Sequence, residues 1–170
     1  MKKWNVKTTV TIAMLVAIHI VLSRFLSINA WNIKIGFAFV PVFIAAYYYG
    51  PTAAAIVGGL GDFLGAILFP IGPYFPGFTL SCMLTGVVFG VLLHKRQTPL
   101  RIVGAAVINQ FVISLFVTTL WISILYGSPY LPLLATRLFQ ALILAAVETV
   151  VIFSLSKTFS LRAKAVGMGA

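Results

Sequence analysis

The sequence predicts an all-α integral membrane protein, a compact bundle of six transmembrane helices with both termini cytoplasmic and residues 1–170 forming one membrane domain. Three observations carry this. Hydrophobic residues make up 61% of the chain and charged ones 8%, with a mean hydropathy of +1.10, outside the range of soluble domains. The apolar residues fall in runs long enough for helices, at about 1.5 Å rise per residue against a ~30 Å hydrocarbon core. The basic residues fall in short clusters between alternate runs.

The elements follow in order. Span 1, residues 8–26, comes after a basic start and has no small-residue cleavage site, so it reads as a retained span and not a signal peptide. Span 2, residues 33–49, is short, and Gly50-Pro51 separates it from span 3, residues 51–69. The stretch Pro70–Gly77 leads into span 4, residues 77–94. Spans 5 and 6, residues 100–126 and 130–156, are long enough to tilt, and Gly127–Pro132 divides them. No internal repeat of the inverted-transporter kind is visible.

Orientation comes from charge. Lys2, Lys3 and Lys7 precede span 1; Lys95, Arg96 and Arg101 lie between spans 4 and 5; Lys157, Arg162 and Lys164 follow span 6. An even span count puts all three clusters on one side, cytoplasmic by the positive-inside rule, while Pro70–Gly77 and Gly127–Pro132 carry no charge. The net charge of +10 therefore reports membrane topology and not a nucleic-acid surface. The single cysteine, Cys82, excludes a disulfide framework and a Cys-rich metal site. His19 and His94 are isolated, and no hydrolase, metalloprotease or phosphate-cradling motif occurs, so no catalytic or metal-ligating set is expected.

The chain has two acids, Asp62 and Glu148, and both lie in apolar runs. A carboxylate at membrane depth costs about 2.5–3.5 kcal/mol on insertion scales, so each demands a reason. On a helical wheel Ala55, Gly58, Gly59, Asp62, Gly65, Ala66 and Phe69 share a face. Small residues there fit a close-packed helix seam, but the acid favours a cavity with Asp62 as its polar anchor. In span 6, Arg137, Gln140, Ala141, Leu144 and Glu148 share a face. Glu148 falls in the inner half, where it suits a polar link inside the bundle. In span 5, Gln110, Ser114 and Trp121 align, with Thr118 beside them, a weak signal because such residues are common interhelical glue.

Three basic residues fall outside the cytoplasmic clusters: Arg24, Lys34 and Arg137. Aromatic residues collect at the same outer end, notably Trp31, Phe69, Tyr74, Phe75, Phe78 and Trp121. Asp62 with these three cations among aromatic walls would suit a flat heteroaromatic ligand bearing carboxylates. Ala13 and Ala17 in span 1 form a small-xxx-small pair that permits close helix contact.

The order KIGFAFVPVFIAAYYYGP (Lys34–Pro51), GGLGDFLGAILFPIGPYFPGF (Gly58–Phe78) and Gly86–Leu93 resembles the S components of energy-coupling factor (ECF) vitamin transporters, most closely the folate-specific branch. The resemblance implies a membrane-embedded binding subunit in a bacterial plasma membrane, which captures folate or a related pterin outside. It would dock on a transmembrane coupling subunit and two ATPases, with no cofactor of its own because the partners use the ATP. By the same resemblance Ala13 and Ala17 form the docking contact. Ala13, Ala17, Ile20 and Arg24 share one face of an ideal helix, so span 1 is expected to bend before Arg24 if Arg24 is to reach a pocket. Another vitamin, riboflavin or thiamine, stays open, since related branches share the GDxxGA and aromatic-loop patterns. An intramembrane enzyme lacks paired catalytic groups here, and an assembly subunit leaves Asp62 and Arg137 unexplained.

Overall fold

In the computed structural model of the chain, residues 5–30 and 33–165 are described, with side chains other than those of 29, 30, 33, 34 and 162–165. Trp31, Lys2 and Lys3 lie outside the described residues, as do the side chains of Lys34, Arg162 and Lys164. The helices are α1 (Val6–Arg24), α2 (Phe39–Tyr49), α3 (Pro51–Leu68), α4 (Pro76–Leu93), α5 (Pro99–Tyr126) and α6 (Tyr130–Ala165). A two-stranded antiparallel hairpin, β1 (Ser27–Ala30) with β2 (Ile33–Gly36), joins α1 to α2. Proline opens α3, α4 and α5, where its missing N–H costs nothing and its fixed φ suits the first turn. Gly50, at φ +89°, makes the turn between α2 and α3, a conformation that L side chains rarely adopt.

Five helices are long and apolar enough to cross a membrane, all but α2. The expected helical span over residues 33–49 is corrected here: Ile33–Gly36 is a strand with Lys34 opposite Asn29, and the helix begins only at Phe39. Eleven residues reach about 16 Å, roughly half the hydrocarbon core. Two histidines pin this short helix at its ends. His19 Nδ1 donates to the Ala38 carbonyl at 3.0 Å, and His94 Nδ1 to the Ala46 and Tyr47 carbonyls at 3.0 and 3.2 Å.

Contacts fix the helix directions. His19 meets Gly61 and Arg24 meets Gly65, so α1 and α3 run parallel. Gly58 abuts Cys82, Gly86 abuts Ala54 and Gly90 abuts Pro51, so α3 and α4 run antiparallel with their backbones in close contact. Gln110 reaches Glu148, and the Tyr130 hydroxyl donates to the Phe116 carbonyl, so α5 and α6 are antiparallel too. Lys7, Lys95, Arg96, Arg101 and Lys157 consequently gather toward one end of the bundle. That half is solid: Leu15, Phe43, Ala46, Val57, Phe89, Leu93, Ile102 and Ile152 form a continuous buried core. The other half holds the cavity.

Candidate ligand-binding site

A cavity of about 510 Å³ opens between α3, α4, α5, α6 and the segment after α3, at the end of the bundle away from the basic clusters. This volume is typical of small-molecule sites. Ile71, Tyr74, Phe75, Phe78, Ile113 and Ile122 supply apolar wall, and Arg24, Asp62, Ser81, Thr85, Asn109 and Arg137 are among the polar lining. Phe75 meets Phe78 edge-on at 6.0 Å and is backed by Trp121 at 5.7 Å, so the segment after α3 is stiffened by its own aromatic packing.

The two arginines in the lining are held differently. Arg24 Nη2 donates to Asp62 Oδ1 at 3.3 Å and to the Asp62 carbonyl at 3.2 Å. The other Asp62 oxygen accepts from the Thr79 hydroxyl at 2.9 Å, and Tyr74 Oη lies 3.4 Å from that hydroxyl. This chain ties the end of α1, α3, α4 and the aromatic segment together. Gly65 makes room for it, since a Cβ there would stand 2.9 Å from Arg24 Nε. Helix α1 continues unbroken to Arg24, so the length of the guanidinium at the last turn, and not an interruption of the helix, brings it to Asp62.

Arg137 has no such neutralisation. It is 4% exposed, and its Nε and Nη1 have no hydrogen-bond partner in the protein. No acid is left for it: Asp62 is paired with Arg24, and Glu148 accepts from Asn109 and Gln110. An uncompensated cation buried beside an open cavity is costly unless the cavity receives an anion.

Several expectations are corrected. The α3 glycines are not missing volume that forms the cavity: Gly58 faces the Cys82 backbone and Gly59 faces Met83, so α4 fills that part of the face. Only Asp62 and Ala66 of it line the cavity. Phe69 turns away from the cavity, half-exposed, and stacks edge-on with Phe25 at 5.0 Å. Trp121 stands behind the wall and not in it, donating from Nε1 to Ser81 Oγ at 3.1 Å. Residues Ile108–Val117 of α5 are wound as a π-helix, which breaks the wheel used for that span. Asn109, Ile113, Ser114 and Thr118 face the cavity, while Gln110 turns to Glu148.

Glu148 is fully buried and serves as the polar link expected of it, between α6 and α5. Ser81, Thr85 and Asn109 are polar lining that sequence reasoning missed. The available signals were a serine and threonine one turn apart on α4, and an amide beside Gln110 in an apolar run. Ala13 and Ala17 lie exposed on α1, on the side away from the bundle core.

A membrane bundle that is solid at one end and holds an aromatic-walled cavity with a free cation at the other has the anatomy of a small-molecule receptor. The chain belongs to the substrate-specific components of ECF transporters, whose family profile, described as "ECF transporter, substrate-specific component", matches residues 7–158. It is similar to the folate transporter FolT of Clostridium novyi (strain NT), 39% identical over 90% of this chain and 88% of that one. It is also similar to the folate transporter FolT of Leuconostoc mesenteroides subsp. mesenteroides, 26% identical over 75% of this chain and 70% of that one. Among solved structures, a crystal structure of FolT bound with folic acid superposes with a TM-score of 0.86 at 29% identity, covering 91% of this chain and 95% of that one. The S component of a bacterial ECF transporter, 24% identical, shares the fold with a TM-score of 0.69 over 93% of this chain and 98% of that one.

Proposed function

We propose that this chain is the folate-binding S component of an ECF-type importer in a bacterial plasma membrane. The single observation that carries the reading is Arg137, a buried cation without an acidic partner in a cavity walled by Tyr74, Phe75 and Phe78. Folate joins the matching chemistry in one molecule: a flat heteroaromatic ring to stack on aromatic side chains, and carboxylates to neutralise a cation. The likeness to FolT proteins over most of the chain supports the same ligand. Asp62, Tyr74, Phe75, Phe78, Arg24 and Arg137 are the residues we assign to the site, with Trp121 supporting Phe75 from behind. Lys34 and Trp31 keep the ligand-binding role that the sequence suggests for them.

The N- and C-termini are assigned to the cytoplasm, and all six helices to one membrane bundle, α2 entering it only part-way. The gathering of Lys7, Lys95, Arg96, Arg101 and Lys157 toward one end supports that orientation, and the cavity then faces outside. Folate is captured there, and the loaded subunit docks through Ala13 and Ala17 on a transmembrane coupling subunit carrying two ATPases. Those partners use the ATP, this chain needs no cofactor, and tilting of the whole bundle delivers the vitamin inside. The test is native mass spectrometry of the protein extracted from its host membrane, with a competition panel of folate, riboflavin and thiamine. A co-purifying pterin displaced only by folate is expected; displacement by riboflavin or thiamine instead would overturn the ligand assignment.

A further inference from the structure

Glu148 is fully buried and lies outside the cavity lining, yet it holds Asn109, which is in it. Asn109 Nδ2 stands 3.0 Å from both oxygens of its carboxylate, and Gln110 Nε2 stands 2.6 Å from Oε2. A carboxylate only accepts, so Asn109 must turn its NH₂ toward Glu148. The flipped carboxamide would press its oxygen against two carboxylate oxygens. Asn109 Oδ1 therefore points the other way, where it lies 2.7 Å from the Thr85 hydroxyl. Thr85 Oγ1 also lies 3.0 Å from the Ser81 carbonyl, and it has one proton for these two acceptors. Whichever takes it, Thr85 has only lone pairs left for the cavity. Thr118 gives its proton to the Ile113 carbonyl at 3.0 Å, with the same result. Asn109, Thr85 and Thr118 all line the cavity.

We infer that Glu148 is a positioning residue that holds the Asn109 NH₂ out of this wall, so that Asn109, Thr85 and Thr118 together form a row of acceptors that selects a ligand edge rich in N–H donors. The inference rests on the folate reading above, in which the 2-amino group and ring N–H of the pterin form that edge. It assigns Glu148 a role in discrimination without contact with the ligand.

The test compares folate with 2-desamino-folate, titrated into purified, ligand-free protein in detergent. In wild type, losing the amino group should weaken binding by about tenfold or more, the worth of one hydrogen bond left unmade in a buried site. Glu148→Gln keeps an oxygen for Gln110 at the Oε2 place but puts an NH₂ at the Oε1 place, where Asn109 now meets a donor and is released to flip. Thr85 and Thr118 remain acceptors, but a donor can now stand among them, and the folate to desamino-folate ratio should fall severalfold. Combining Asn109→Asp with Glu148→Gln restores every pairing: the new carboxylate at position 109 accepts from Thr85 and from the new amide at 148, whose oxygen accepts from Gln110. The ratio should return in this double variant.

A merely structural role would weaken both ligands equally in Glu148→Gln and leave the ratio as it was, which would overturn the inference. So would a double variant that discriminates no better than the single. If Glu148→Gln does not fold, Asn109→Leu carries the test: with the oriented amide removed from the wall the ratio should fall, and an unchanged ratio would overturn the inference. Wild type that binds no folate would overturn the ligand assignment and this inference with it. Wild type that binds both compounds equally would overturn this inference alone.

Discussion

Arg24 and Arg137 are the same residue type in the same cavity, and they are predicted to fail in opposite ways when changed. Arg24 is part of the fold, held by Asp62 with both side chains near 11–12% exposure. Asp62→Ala leaves that guanidinium without its acid, which typically costs about 3–5 kcal/mol for a buried pair. A clear drop in thermal midpoint in detergent is expected, with part of it recovered when Arg24→Met is added. Arg137 has no acid to lose, so Arg137→Met should leave the midpoint unchanged or raised. These charged residues were legible in the sequence because an ion in an apolar run is conspicuous. Asn109, Thr85 and Ser81 were not, because neutral polar side chains in membrane helices look like ordinary interhelical glue until a neighbour's geometry separates them. Phe69 was misassigned for the opposite reason: its wheel position matched Asp62, but α3 ends at Leu68 and the chain turns the ring outward.

At the level of elements, glycines decide how closely α3 and α4 approach. A Cβ at Gly86 would meet the Ala54 and Ala55 backbone, and one at Gly90 the Pro51 backbone, neither of which can yield without moving a helix. Gly86→Ala and Gly90→Ala should each lower stability by about 1–3 kcal/mol or more, the usual cost of overpacking. Gly104→Ala meets nothing within 4 Å and should stabilise α5 by about 0.5–1 kcal/mol. Thermal unfolding in one detergent compares the three; equal effects would contradict the packing account. Length and hydropathy were enough to locate α1, α3, α4, α5 and α6 to within a few residues at most ends. They could not resolve the hairpin, whose four-residue strands alternate Ile33-Lys34-Ile35-Gly36 next to a helix equally rich in apolar residues. Nor could they resolve the π-wound middle of α5, since a periodicity of 3.6 assumes the winding that the segment abandons.

For the whole molecule, the division of labour runs along the bundle axis, with packed core toward the basic end and cavity at the other. The proposed docking contact and the cavity are then separate surfaces, because Ala13 and Ala17 face outward from α1 and neither lines the cavity. Ala13→Leu with Ala17→Leu should leave folate affinity within about twofold, since no lining residue moves, while bulk at a close helix contact abolishes ATP-dependent uptake in membranes holding the complete importer. Loss of binding in that variant would show that the two surfaces are not separate. The central claim is that a ligand carboxylate completes the site at Arg137. Calorimetric titration of folate into ligand-free protein without ATP tests it most directly, with wild type and Arg137→Met compared at equal thermal stability. The account predicts saturable one-to-one binding to wild type and affinity lower by about a hundredfold or more in the variant, as the loss of a buried charge-assisted contact implies. Equal affinity in the two proteins would contradict it.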